Sequence, residues 1–134
     1  MSIVLDHFSY TYMPDTPYQR EALRDISLTI SPGEFIGIIG HTGSGKSTLV
    51  QHLNGLLQPT SGSAKVDDID LKGKTAEQKL IRQRVGMVFQ YPEHQLFEET
   101  IFDDIAFGPR NLGLTADEVM QRVEEAMERV GLSP

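Results

Sequence analysis

The residues that could do chemistry are concentrated in one glycine-rich segment, Gly40–Thr48. It reads Gly-His-Thr-Gly-Ser-Gly-Lys-Ser-Thr and matches the phosphate-binding loop pattern of spaced glycines followed by a lysine and a hydroxyl side chain. Glycines let backbone N–H groups turn toward phosphate oxygens, in conformations that a Cβ would block. The segment therefore predicts a nucleoside triphosphate, bound together with Mg²⁺.

The side chains of this loop have different predicted tasks. Lys46 is expected to lie along the β- and γ-phosphates and to act in catalysis, and the Ser47 hydroxyl is expected to take one Mg²⁺ position. The other residues are expected to supply mainly backbone N–H groups, with Thr48 nearest the α-phosphate and His41 as loop filler with an exposed ring. The predicted nucleotide-binding residues of the loop are Gly40, His41, Thr42, Gly43, Ser44, Gly45, Lys46, Ser47 and Thr48.

Two other interpretations of the loop are a plain glycine-rich turn beside a surface lysine and a dinucleotide-binding fingerprint. The fingerprint needs a third glycine at a fixed offset, where Ser47 and Thr48 stand. The plain turn is disfavoured because a buried strand is predicted over Phe35–Ile39 and a helix comes directly after the loop. The predicted apolar face of that helix consists of Leu49, Val50, Leu53, Leu56 and Leu57.

Further elements must surround this strand, loop and helix. Before them, Ile3–Tyr12 and Ala22–Ile30 have the composition and alternation of strands. After them, the pattern predicts a strand over Ala64–Asp70, a helix over Thr75–Arg84 and a second buried strand over Val85–Phe89.

The last predicted element is a structural helix with clear signals at both ends. Thr115 and Glu118 form a capping box at its start, and Gly131 is expected to end it. Its predicted apolar stripe consists of Val119, Val123, Ala126, Met127 and Val130.

Composition excludes several classes of function. A formal charge of −7 argues against a nucleic-acid partner, which requires a basic face. The chain has no cysteine, so it forms no disulfide framework and no thiolate metal site. The N-terminus lacks the regions of a signal peptide, and no apolar run is long enough to span a bilayer. We therefore expect any membrane role to come only through partners.

Residues outside the loop carry a resemblance to the ATP-binding cassette (ABC) ATPases. Phe8–Tyr12 and Ala22–Leu28 resemble the antiparallel strand pair of that family. The resemblance implies that Tyr12 stacks on the adenine of ATP, since an aromatic face binds a base without reading its edge. The alternative is that Tyr12 is an ordinary aromatic residue of the sheet surface, and Tyr10 and Tyr18 are weaker candidates for the adenine role.

A second resemblance to the family is Val85–Gln90, which is similar to the strand that ends in the Q-loop glutamine. It implies that Gln90 contacts Mg²⁺ and the attacking water, as a catalytic residue beside Lys46. A neutral amide suits this task because it can both donate and accept hydrogen bonds. Taken without the resemblance, Gln90 would be an ordinary loop residue.

The next segment, Tyr91–Pro109, narrows the resemblance further. It is similar to the ATPases of energy-coupling factor transporters, importers of vitamins and metal ions, and most similar to the second of their two ATPase types. The resemblance implies three partners: a second ATPase subunit in a heterodimer, a transmembrane scaffold subunit and a substrate-binding membrane subunit. It also implies a peripheral location on the cytoplasmic face of the membrane. In addition, it implies a groove that receives the scaffold subunit, with Leu96 and Phe97 as its apolar floor. The alternative is a solvated acidic loop.

The predicted fold class is α/β, a P-loop NTPase core of the ABC ATPase type with an incomplete parallel sheet. Residues 1–34 are expected to form an N-terminal antiparallel β region, residues 35–90 the core from the P-loop to the Q-loop, and residues 91–134 the start of a helical subdomain.

The sequence departs from the family after Gly131. It contains no Leu-Ser-Gly-Gly-Gln signature, no Walker B strand ending in Asp-Glu and no switch histidine of the family type. We therefore expect a fragment or an interrupted reading frame of a longer ATPase. Two alternatives of other classes are a soluble P-loop switch or kinase, although the Asn-Lys-x-Asp guanine reader of GTPases is lacking, and a nucleotide-binding module that does not hydrolyse ATP.

We predict little or no ATPase activity for the 134-residue polypeptide alone, because the general base and one Mg²⁺ support are missing from it. The measurement is phosphate release by the purified chain with Mg²⁺ and ATP. Turnover that Lys46→Ala abolishes would contradict this prediction.

Overall fold

The chain folds into two units that divide after Met87. In this computed structural model, residues 1–132 are described. Ser133 and Pro134, the last residues of the predicted helical subdomain, lie outside that range. Each unit has a hydrophobic core of its own.

The first unit is built on a four-stranded antiparallel sheet. Its strands are β1 (Ile3–Tyr12), β2 (Arg20–Ile30), β3 (Ser61–Val66) and β4 (Ile69–Asp70), in the order β2-β1-β3-β4. The first two strands are confirmed, with β2 beginning two residues before its predicted start at Ala22. The single strand expected over residues 64–70 is wrong: a turn at Asp67, where φ is 51°, divides it into a hairpin.

A bulge in β1 decides which of its side chains face the core. Ile3 and Leu5 are buried in alternation, and His7 would be the next residue to point inward. His7 instead has a φ of 46°, and the register of β1 against both neighbouring strands shifts there. The extra residue brings Phe8 into the core, where it is fully buried. Gly62 of β3 accommodates the bulge, because a Cβ at that position would collide with the His7 carbonyl.

Two helices complete the first unit. Helix α1 covers Lys46–Leu53, and α2 covers Thr75–Arg84 as predicted. The predicted apolar face of α1 is partly wrong, because Val50 is exposed and the helix ends before Leu56. Its buried residues are Thr48, Leu49 and His52.

The two predicted buried strands are also wrong. Residues 35–39 and 85–89 form no strand, and within residues 1–132 no other segment pairs with them. Phe35 and Ile39 are almost completely exposed, and Val88 is 81% exposed. An apolar run indicates that burial is favourable, but a strand forms only where a neighbouring strand supplies the hydrogen bonds.

The second unit is a helical hairpin. It contains a 3-10 turn (Pro92–Gln95), α3 (Ile101–Asn111) and α4 (Ala116–Arg129), and its buried residues are Ala106, Val119 and Val123. Within residues 1–132, no helix is both long enough and apolar enough to cross a membrane.

Both end signals of α4 are confirmed. The Glu118 N–H donates to Thr115 Oγ1 at 3.4 Å, and the Thr115 N–H donates to Glu118 Oε2 at 2.8 Å, which completes the capping box. These bonds to Thr115 lower the pKa of Glu118. At the other end, Gly131 takes a φ of 75° and the Leu132 N–H donates to the Met127 carbonyl at 2.9 Å. Val130 lies beyond the last helical residue and is 70% exposed, so its predicted place in the apolar stripe is wrong.

Candidate functional site

The glycine-rich loop forms a tight turn that leads directly into α1. The Ser44 N–H donates to the His41 carbonyl at 3.2 Å, and His41 itself is exposed with Nδ1 2.8 Å from the Thr42 carbonyl. Gly43 and Gly45 have φ angles of 83° and 91°, in the left-handed region that side-chain-bearing residues avoid. These two glycines therefore permit the path of the loop.

Gly45 is also a point of close approach between the loop and the sheet. A Cβ on Gly45 would lie 2.6 Å from the Ala22 carbonyl oxygen and 2.9 Å from Leu23 Cδ2. Both distances are shorter than van der Waals contact, so only glycine allows the loop and β2 to approach this closely. The loop is thereby held against a strand whose Leu23 belongs to the hydrophobic core.

Lys46 is the first residue of α1, and its side chain folds back over the loop. Its ammonium group donates to the Gly40 and His41 carbonyls, each at 2.8 Å, and lies 3.4 Å from Ser44 Oγ. The positive charge is thus held at the loop itself. The N-cap residue, Gly45, has no side chain to bond the first amides of α1. Within residues 1–132 these amides have no side-chain cap, and amides at such a position can bind an anion.

Tyr12 lies beside the same helix. Its hydroxyl is 3.1 Å from Thr48 Oγ1, and its ring packs edge-on against Tyr10 at 4.8 Å. The structure thus brings Tyr12 together with the loop helix, whereas Tyr18 lies in the loop between β1 and β2 and is 80% exposed. Stacking of Tyr12 on adenine stays a prediction.

His52 is a residue of this region that the sequence patterns did not single out. It is fully buried, with ring centroids 5.0 Å from Phe8 and 4.4 Å from Tyr10. Its Nδ1–H donates to the Thr48 carbonyl at 2.6 Å, while Nε2 has no hydrogen-bond partner among residues 1–132. Burial lowers the pKa of His52, and the hydrogen bond to the Thr48 carbonyl opposes that shift. His52 therefore belongs to the core, where burial favours the neutral imidazole. The sequence feature that could have indicated this contact is the position of His52 four residues, about one helical turn, after Thr48.

Gln90 lies in the second unit. It is exposed in a shallow hollow beside Tyr91 and His94, whose rings stack at 5.7 Å. Its contact with Mg²⁺ and its catalytic role stay predictions, as does the Mg²⁺ position of Ser47, which lies in the first turn of α1.

An apolar surface lies next to this hollow within the second unit. Leu96 and Phe97 are 70% and 62% exposed, and the Phe97 ring packs edge-on against Phe107 at 4.9 Å. Asp104 Oδ1 accepts hydrogen bonds from the Phe97 and Glu98 amides at 3.3 and 3.2 Å, which fixes the segment before α3.

Comparison with known proteins identifies the family. The ABC transporter family model matches residues 23–134, which is most of the chain. This chain belongs to the ABC transporter family. The predicted fold class, a P-loop NTPase core of the ABC ATPase type with an N-terminal antiparallel sheet, is confirmed.

Two curated relatives of this ABC family chain are similar over nearly its whole length. The energy-coupling factor transporter ATP-binding protein EcfA2 of Symbiobacterium thermophilum is 61% identical over all 134 residues. The EcfA2 protein of Clostridium acetobutylicum is 58% identical over 132 residues, or 98% of the chain. The chain covers 46% of each relative, so it spans about half the length of these proteins.

Solved structures give the same fold. CbiO1 from Clostridium perfringens, described as part of the ABC transporter complex cbiONQ, is 35% identical with a TM-score of 0.81. The ATP-binding cassette MJ0796, in a dimeric post-hydrolysis state bound to ADP and phosphate, is 27% identical with a TM-score of 0.79. Each comparison covers 98% of this chain, and 51% and 58% of the two known chains respectively.

We predict that Gly45→Ala destabilises the first unit more than Gly33→Ala does. Both glycines have a positive φ, at 91° and 84°, and an alanine in that region costs about 1 kcal/mol. Only Gly45 has atoms of β2 in the path of the added Cβ, whereas nothing lies within 4 Å of a Cβ at Gly33. Urea unfolding measures how much unfolding free energy each variant loses. Equal losses in the two variants would show that the close approach of Gly45 to β2 does not affect stability.

We predict that His52 makes the first unit less stable in mild acid. Its pKa is lowered in the native state, so below about pH 6.5 the unfolded chain binds a proton that the native chain does not. Stability from the neutral imidazole is therefore complete above that pH and is lost as the pH falls. Unfolding midpoints at pH 7 and pH 5 should differ less in His52→Gln than in the unchanged chain. His94→Gln, at an exposed site, is the control. The assignment of the acid sensitivity to His52 would be contradicted if the midpoints of His52→Gln differed between the two pH values as much as those of the unchanged chain.

Proposed function

We propose that this chain is the ATP-binding part of an energy-coupling factor transporter ATPase. The observation that carries the proposal is the loop, where the Lys46 ammonium and the free amides at the start of α1 converge on one turn. Identity of 61% to an EcfA2 protein over the whole chain supports the transporter type. In a complete ATPase of this type, hydrolysis of ATP drives uptake of a vitamin or metal ion.

The residues present suit a triphosphate and Mg²⁺. Lys46 would release the loop carbonyls and donate to β- and γ-phosphate oxygens, and the loop amides would hold the remaining oxygens. The Ser47 hydroxyl and the Gln90 amide would hold Mg²⁺, whose charge offsets that of the phosphates. Tyr12 would present its ring to the adenine, with its hydroxyl held by Thr48.

Partners are proposed from the same similarity. Together with the cbiONQ description of a structural relative, the EcfA2 similarity supports a second ATPase subunit, a transmembrane scaffold subunit and a substrate-binding membrane subunit. The chain would then lie on the cytoplasmic face of the membrane, held there by these partners. Exposed Leu96 and Phe97 would form the floor of the scaffold groove, and the neighbouring carboxylates of Glu93, Glu98 and Glu99 would meet basic side chains.

We predict that Lys46→Ala weakens ATP binding about 10- to 100-fold, because each hydrogen bond to a charged group contributes about 1.5–3 kcal/mol. Calorimetric titration of the 134-residue chain with ATP in the presence of Mg²⁺ measures the affinity. Lys72→Ala is the control, because Lys72 is exposed and lies outside the loop. Equal ATP affinity in both variants, or no ATP binding by the unchanged chain, would refute the proposed nucleotide site.

A further inference from the structure

Arg20 lies at the edge of the sheet nearest the loop. It is the first residue of β2 and pairs in register with Tyr12 of β1. Directly opposed residues of an antiparallel pair project from the same face of the sheet. Tyr12 reaches Thr48 from this face, so the end of the β1–β2 pair borders the nucleotide loop.

The Arg20 side chain reaches the loop itself. A Cβ placed on Gly43, which has a φ of 83°, would lie 3.4 Å from Arg20 Nη2. The guanidinium group therefore rests against the turn that carries the phosphate-binding amides. Because Gly43 has no side chain, the guanidinium can approach the backbone of the turn at this residue.

The guanidinium of Arg20 has no ion pair or hydrogen bond within residues 1–132. Arg24 on the same strand differs, since its Nε donates to Glu21 Oε2 at 2.7 Å. Lys46 differs as well, because its ammonium already bonds two loop carbonyls. Among the described residues, Arg20 is thus a cation without a partner beside the phosphate-binding loop, in a chain whose net charge is −7.

We propose that Arg20 is a second phosphate-binding cation of this site, an inference that rests on the proposed nucleotide function. Its planar guanidinium can donate two parallel N–H bonds to phosphate oxygens, which a lysine ammonium cannot do. Arg20 and Lys46 then both bind the polyphosphate chain, while Tyr12 holds the base. The ligand that Arg20 recognises is the phosphate group, whatever base the nucleotide carries.

The test compares Arg20→Gln, Arg20→Lys and the control Arg24→Gln in the 134-residue chain, with ATP and GTP each titrated at low and high ionic strength. Arg20→Gln should weaken the binding of both nucleotides about 10-fold at low ionic strength, because the lost hydrogen bond joins two charged groups. The loss should shrink at high ionic strength because salt screens an exposed charge pair. Arg20→Lys should recover part of the affinity, and Arg24→Gln should bind like the unchanged chain.

Three results would overturn the inference. The first is ATP affinity in Arg20→Gln equal to that of the control. The second is a loss that differs between ATP and GTP, because it would place Arg20 at the base. The third is a loss of affinity in Arg20→Gln that does not depend on ionic strength and is equally large in Arg20→Lys, because Arg20 would then act only by packing against the loop. All three leave the proposed function intact as long as the unchanged chain binds ATP, whereas failure of that binding refutes the proposed function itself.

Discussion

The bulge at His7 is the constraint on which the arrangement of the first unit depends. Without the extra residue, the alternation set by Ile3 and Leu5 would turn His7 inward and Phe8 toward solvent. With it, Phe8, Tyr10 and Tyr12 all contact residues of α1. The bulge in β1 thus selects the side chains that support the loop helix, and Gly62 on β3 leaves the space that the bulge needs.

Thr48 connects the core to the candidate nucleotide site. Its side chain bonds Tyr12, while its carbonyl accepts from the buried His52. The position of α1 is fixed from the other direction by Gly45, which lies against the backbone of β2. Because the helix is held at both points, the amides at its start are oriented by the hydrophobic core as well as by the loop.

The parts of the fold that could be predicted are those that local sequence determines. Helix α2 and the capping box of α4 depend on residues a few positions apart, and both are found where they were expected. The segments 35–39 and 85–89 have the composition of strands, but pairing depends on distant neighbours that composition does not specify. The same distinction applies to the site. The loop pattern is local, whereas the contacts of His52 and Arg20 depend on the bulged register of the sheet.

Segment 35–39, which pairs with no strand in the described part of the chain, affects the behaviour of the chain in solution. It reads Phe-Ile-Gly-Ile-Ile, with no charge and no proline, and both Phe35 and Ile39 lie open to water. Such a run offers free N–H and C=O groups together with apolar side chains, which is the combination that templates strand addition between molecules. The residues that precede the phosphate-binding loop therefore favour self-association of the chain as its concentration rises. Pairing of this segment with another β-strand would suppress that self-association.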